Sequence, residues 1–264
     1  MSTPTDELLV RREPPLAWVI VNRPQARNAM TRAVWQALAA QVNTLGQDAG
    51  VRVIIVRGAG IDAFISGADI SEFPAIRANA AMTADYDRDT AAAWQAITAA
   101  PQPVIAMING LCFGGGCAVA LACDLRVAAD HARIAIPAAR LGLAYPLDAI
   151  ERLIHVVGSS AAADILLSTR TIDAAEALRI GFVSHVVPHA ECEEWTRDYA
   201  LRMAANAPLT LAAHKLAIQE SLKPPSARDT AAIRAAAVRC FNSADYQEGI
   251  TAFLAKRTPR FEGK

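Results

Sequence analysis

Residues 109–125 read NGLCFGGGCAVALACDL, with Gly114, Gly115 and Gly116 in succession between an apolar run and an alanine-rich stretch of helical composition. A phosphate loop of the Walker type would continue with Lys-Ser/Thr, whose cation and hydroxyl hold phosphate and magnesium; Cys117 and Ala118 stand there instead. A site for acid–base chemistry would place a carboxylate just inside the helix, and none is present. What remains is main-chain chemistry. A strand that ends in glycines and turns into a helix leaves the first N–H groups without intrahelical acceptors, and the helix dipole adds partial positive charge at the same end. Such an end holds an anion, or an oxygen that becomes anionic during reaction. Glycine also lets a ligand approach the backbone closely, although tight packing of a helix on a sheet would use the same residues. A second segment, FISGADI (64–70), again sets small residues about a turn. One exposed amide is ordinary; two converging from separate segments form an oxyanion hole.

Other chemistries find little support. GAGIDA (58–63) has the spacing of a dinucleotide loop but is followed by FISGADI rather than a helix, and Val119 stands where a third glycine would fall after FGGG. No G-x-S-x-G elbow is present. The histidines at 131, 155, 185, 189 and 214 make no H-E-x-x-H, and the cysteines at 112, 117, 123, 192 and 240 make no C-x-x-C, so no metal is expected. Five thiols, odd in number, suit buried residues of a reducing, cytoplasmic compartment. Lys+Arg and Asp+Glu both total 26, which gives no general attraction to nucleic acid. The start, MSTPTDELLVRREPP, has no apolar stretch of a secretory leader. Residues 104–123 carry no charge and are long enough to span a bilayer, yet a triple glycine interrupts them and Pro101 and Pro103 precede them. A buried strand, a tight turn and a buried helix are expected there, and no membrane partner.

The elements that must carry these turns are legible in outline. LAWVIVN (16–22) and VRVIIVRG (51–58) are β-branched runs; between them, apolar residues at 34, 38, 42 and 45 have helical period, with Thr31 as N-cap. Residues 59–74 read as loop and 76–99 as an alanine-rich helix. A strand over 103–110, a helix to about 122, and strands over 125–129 and 132–137 follow. Beyond Pro146 the chain turns helical, broken at Gly158. Asp173 and Glu176 suggest a capping box, Gly181 a helix end, FVSHVVP a brief strand, and Ser243 a cap for the last helix. The order is an α/β portion over 1–190, then a helical region over 191–264.

The ordered set NRPQARNAM (22–30), GADI (67–70), NGLCFGGGCAVALACDLRVA (109–128) and IPAARLGLAYP (136–146) resembles the crotonase, or enoyl-CoA hydratase/isomerase, family. The resemblance continues through STRTIDAAEALRIGFVSHVVP (168–188) to FLAKRTPRF (253–261) and covers nearly the whole chain. It implies a superhelix of repeated ββα turns, a helical C-terminal region that forms trimers or a hexamer of two trimers, and an acyl-CoA thioester as substrate. Coenzyme A then enters as part of the substrate, with no permanently bound cofactor. The backbone N–H groups of Ala68 and Gly115 would hold the thioester oxygen. Coenzyme A contacts would fall on Gln25, Ala26, Arg27, Ser66, Ala68, Asp69 and Ile70, with Phe253 and Lys256 reaching from a neighbouring subunit.

The resemblance also exposes a departure. Typical hydratases of the family carry two glutamates that hold water and move protons, at the positions of Ala118 and Ala138; an acidic residue used by other relatives corresponds to Pro146. An alanine methyl transfers no proton, so hydration by the two-glutamate route is not expected. The nearby candidates for acid or base are Tyr145, Asp148 and Glu151. Asp148 lies two residues beyond the alternative acidic position and points about 200° away from it on a helix. Asp69 is expected to order its loop. Arg140 is either part of a surface salt bridge or a contact for a substrate carboxylate. Isomerisation, decarboxylation and thioester hydrolysis all remain open, as does an acyl-CoA-binding protein without turnover.

Overall fold

The computed structural model describes residues 4–264, with side chains from residue 6 onward. The first three residues of the segment judged free of a secretory leader lie outside the described part.

The order along the chain is α1 (Pro4–Glu7), β1 (Leu8–Glu13), β2 (Leu16–Val21), α2 (Arg32–Gly46), β3 (Val53–Gly58), β4 (Ala63–Ile65), α3 (Phe73–Ile76), α4 (Ala80–Ala99), β5 (Val104–Ile108), β6 (Leu111–Phe113), α5 (Gly115–Ala122), β7 (Leu125–Ala129), β8 (Arg133–Ala135), α6 (Leu147–Ser168), β9 (Ile172–Asp173), α7 (Ala174–Arg179) and β10 (His185–Val187). Four helices follow: α8 (Cys192–Ala204), α9 (Pro208–Leu222), α10 (Thr230–Phe241) and α11 (Ala244–Leu254).

Successive strand pairs divide between two sheets. The first strand of each pair, β3, β5 or β7, enters a six-stranded sheet of order β1-β2-β3-β5-β7-β10; the second, β4, β6 or β8, enters a four-stranded sheet that ends in β9. A helix follows each pair, which gives the repeated ββα turn of the crotonase fold. Only β1 with β2 and β8 with β9 are antiparallel. Helices cover the large sheet on both faces, so its central strands are apolar without alternation, as in VIIV of β3 and VIAMI of β5. Ile54, Val56, Ala106 and Ile108 face a cluster that includes Trp35, Leu38 and Val42 of α2; Val53, Ile55, Ile105 and Met107 face Cys192, Ala200 and Ala204 of α8. Each such large side chain, fully buried, is worth roughly 1.5–3 kcal/mol.

The local signals act as their chemistry requires. Thr31 accepts from Val34 N at 3.3 Å and Asp173 from Glu176 N at 2.8 Å. The return half of the capping box is missing, because Glu176 is drawn instead to Arg170, at 2.6 and 2.7 Å. Gly158, at φ 77°, separates the two helical stretches of α6. The loop read over 59–74 contains strand β4 and the start of the single turn α3, and the helix read over 76–99 begins only at Ala80, under an Asn79 cap. The uncharged stretch 104–123 is strand, short strand and helix, and among the described residues no helix is long and apolar enough to cross a membrane. Cys112, Cys117, Cys123 and Cys192 are buried and unpaired.

Candidate active site

Two segments meet at the N-terminus of α5. Gly116 lies so close to β4 that a methyl group on it would fall 2.2 Å from the Ile65 carbonyl oxygen, a contact no side chain survives. This approach brings the turn after β4 against the glycine turn: a methyl group on Gly115 would sit 3.5 Å from the Ala68 amide nitrogen. Gly67, at φ 117°, supplies the conformation that turns the chain there. The turn is pinned to Met30 by hydrogen bonds from Met30 N to Gly67 O, 2.8 Å, and from Asp69 N to Met30 O, 2.9 Å. Both bonds flank Ala68, whose own N–H has no acceptor among the described residues. Gly115 is the first residue of α5 and has no carbonyl four residues back to bond within the helix. The two free amides thus lie side by side.

They open on a cavity of about 460 Å³ lined by Trp35, Ser66, Ala68, Ile70, Gly115, Ala118, Ala138, Tyr145, Asp148 and further residues of α3, α4 and the loop before α6. Ala118 and Ala138 both present methyl groups to it. Tyr145 donates to Gly114 O at 2.9 Å. Burial, with Cys117 and Cys112 nearby, pushes the Tyr145 phenol well above its ordinary value, so it stays protonated at neutral pH. Asp148 stands in the first turn of α6, where a carboxylate favours the helix dipole.

The other expected residues divide. Asp69 ties its loop: it accepts from Ser71 Oγ at 2.6 Å and from Arg23 Nη1 at 2.9 Å, and the Ser71 hydroxyl, ahead of Arg23 and against burial, holds its carboxyl below the usual range. Ser66 is linked to the 25–27 turn through Ser66 N to Arg27 O, 3.2 Å; Gln25 and Arg27 are exposed, and Arg27 is left-handed at φ 51°. Asn28 organises that turn from within, donating to Ala59 O and Ala63 O at 3.0 and 2.7 Å. Glu151 is exposed and lines no part of the cavity. Phe253 and Lys256 likewise do not line it within one chain; Phe253 lines a separate groove among α10 and α11. Arg140 neither joins a salt bridge nor faces the cavity. Its guanidinium bonds Thr169 Oγ1 and O, at 2.7 and 2.9 Å, where α6 ends.

Sequence reasoning missed the aromatic wall. Trp35, Phe73, Tyr86 and Trp94 line the cavity together with Arg77. Tyr86, Thr90 and Trp94 repeat at four-residue intervals along one face of α4, a signal visible in the sequence but submerged by its alanines. Trp35 Nε1 donates to Tyr86 Oη at 3.1 Å, and burial pushes the Tyr86 phenol up to about 12.

Strand pairs divided between two sheets, with two amides that have no acceptor among the described residues lining one cavity, define an α/β fold of ββα turns. The sequence pattern of the enoyl-CoA hydratase/isomerase family matches residues 12–264, and the chain belongs to that family as an enoyl-CoA hydratase/isomerase-like enzyme. It is 34% identical to the 2,3-dehydroadipyl-CoA hydratase of Escherichia coli strain K12, over 98% of this chain and 99% of that one. It is 32% identical to the crotonyl-CoA hydratase of Syntrophomonas wolfei, over 98% and 99%. Its structure is similar to that of an enoyl-CoA hydratase/carnithine racemase from Magnetospirillum magneticum, with a TM-score of 0.94, 36% identity, and coverage of 98% of this chain and 97% of that one.

Proposed function

We propose that this enzyme binds the thioester carbonyl of an acyl-CoA between the N–H groups of Ala68 and Gly115 and stabilises the enolate or tetrahedral oxyanion that develops there. The observation that carries this reading is the side-by-side placement of the two amides, with no competing acceptor among the described residues. Each preorganised donor of this kind is worth about 3–4 kcal/mol of barrier. The Ser66–Ile70 turn and the linked Gln25–Arg27 turn hold the coenzyme A portion. The exposed apolar side chains of the last helices, Phe241, Phe253 and Leu254 among them, pack in a homotrimer or hexamer. The working compartment is the cytoplasm.

The proton chemistry departs from two-carboxylate hydration. Ala118 and Ala138 leave the cavity wall without acid or base at the two positions the family resemblance assigns. Tyr145 is spent on Gly114 O, and Glu151 lies elsewhere, so Asp148 is the remaining candidate among the three named in the sequence. Isomerisation, decarboxylation or hydrolysis, which need fewer or different protein acids, fit this wall better than addition of water. The two alanines also favour a second reading, acyl-CoA binding without turnover.

A panel of enoyl-, malonyl- and hydroxyacyl-CoA thioesters, followed by mass, separates the readings. Turnover that falls by about 10²–10³ in Gly115→Pro while acyl-CoA binding persists supports the oxyanion role, because proline carries no N–H at this first helical position. Binding without turnover across the panel supports the second reading, and no binding contradicts both.

A further inference from the structure

The wall of the cavity opposes its donors unevenly. Five buried side-chain polar atoms among the described residues lack a partner, and two of them, Arg77 Nε and Trp94 Nε1, belong to residues lining this one cavity. Both are donors. Buried polar groups are rarely left unpaired without a reason, since each loses its bonds to water and gains none in return. Arg77 itself is half-buried, its guanidinium stacked 5.1 Å from the ring centre of Phe73 and 5.0 Å from that of Tyr86. Stacking fixes the plane of the fork and leaves its edge for hydrogen bonding. Nη2 donates to Asp87 Oδ1 at 3.0 Å, while no hydrogen bond from Nη1 is seen among the described residues. Asp87 does not consume the cation: its side chain is 57% exposed, against 28% for Arg77, and so exposed a pair contributes little.

We infer that Arg77 determines specificity by binding a carboxylate carried at the far end of the acyl group, so that the preferred substrate is an acyl-CoA of a dicarboxylic acid. The inference rests on the reading of the cavity as an acyl-CoA site. A planar, always-charged fork held against two rings meets a carboxylate in two parallel hydrogen bonds, a geometry that a methyl-terminated chain cannot use. The rest of the wall, Trp35, Phe73, Tyr86 and Trp94, supplies apolar surface for the methylenes between the thioester and that carboxylate. Asp87 acts as a competitor: it holds one arm of the fork in the empty site and lowers affinity for an incoming anion.

Calorimetric titration of the full-length protein with hexanoyl-CoA, adipoyl-CoA and the monomethyl ester of adipoyl-CoA tests this, since all three are saturated. Adipoyl-CoA is expected to bind about tenfold or more tightly than the other two. Arg77→Gln is expected to erase that preference while leaving hexanoyl-CoA within about twofold, and Asp87→Asn to enlarge it. Equal affinity for the acid and the ester in the unaltered protein overturns the inference, as does an equal loss for all three ligands in Arg77→Gln. Asp87 is exposed, so its variant keeps the test valid even if Arg77→Gln does not fold. Should none of the three bind, the acyl-CoA reading of the cavity itself fails; hexanoyl-CoA binding without a preference for adipoyl-CoA removes only the role of Arg77.

Discussion

The phenol of Tyr145 donates to the carbonyl of Gly114 at 2.9 Å, and that carbonyl belongs to the same peptide group as the N–H of Gly115. The Gly114 oxygen also accepts from Cys117 N at 2.9 Å and Ala118 N at 3.2 Å. Hydrogen bonds to a peptide oxygen polarise the group and make its N–H a stronger donor. On the proposed reading, Tyr145 would act on the reaction through Gly115, as a positioning residue.

Tyr145→Phe removes that bond while keeping the ring. The expected loss in kcat is about 3–10-fold, the worth of one hydrogen bond, with KM nearly unchanged. The pH–rate profile should keep its shape, because the buried phenol does not titrate near neutrality. Disappearance of a limb of the profile in the variant would instead make Tyr145 the acid.

On the proposed reading, supplying two carboxylates to the cavity wall should create hydration chemistry. Ala118→Glu combined with Ala138→Glu places two acids on the cavity wall. Hydration of crotonyl-CoA, followed by loss of the enoyl absorbance, is expected to rise by about 10²-fold or more over the unaltered chain. Full hydratase activity already present before the substitution would show that the two alanines are no obstacle.

Gly116→Ala tests how tightly α5 is locked against β4. The added methyl meets the Ile65 carbonyl oxygen at 2.2 Å, so β4 and the start of α5 must move apart. The expected cost is about 2–4 kcal/mol in denaturant unfolding. A shift below about 0.5 kcal/mol would mean the contact is slack.

The chain's end carries a pH-sensitive tie. Glu248 accepts from both Arg257 Nη atoms, at 2.6 and 2.7 Å, and from Arg260 N at 2.8 Å, and these bonds, the arginine's first, hold its carboxyl down at about 2. Its pKa is lowered on folding, so its contribution is complete above its ordinary value of 4.5 and is lost as pH falls from there toward 2. Protection of the amides of residues 257–262, measured relative to their intrinsic exchange at each pH, should fall across that window, and Glu248→Gln should show the low protection already at pH 7.

Much of this arrangement was legible in the residues. The apolar run of β5, the glycine turn and α5 announce themselves by composition, and Thr31, Asp173 and Ser243 cap helices as their types require. The three-residue strands β4 and β6 are too short to show a period, whereas β8, equally short, falls inside the run expected over 132–137. β1, LLVRRE, is an edge strand whose two arginines mask its alternation. Local pattern places Ala68 and Gly115 on turns, but it does not say that the turns meet; that depends on the close approach of Gly116 to Ile65, a contact across fifty residues of chain. Arg140, weighed as a ligand for a substrate carboxylate, is drawn away by the open end of α6, while Arg77 gains its place only when α3 and α4 fold over the cavity.

The vibrational frequency of the thioester carbonyl, read by isotope-edited infrared spectroscopy of a bound 13C-labelled acyl-CoA, reports most directly on the pair of amides. Two hydrogen bonds from Ala68 and Gly115 should move the band to lower frequency than in water, and Gly115→Pro should return most of that shift. A bound carbonyl absorbing where the free thioester does would contradict the oxyanion hole.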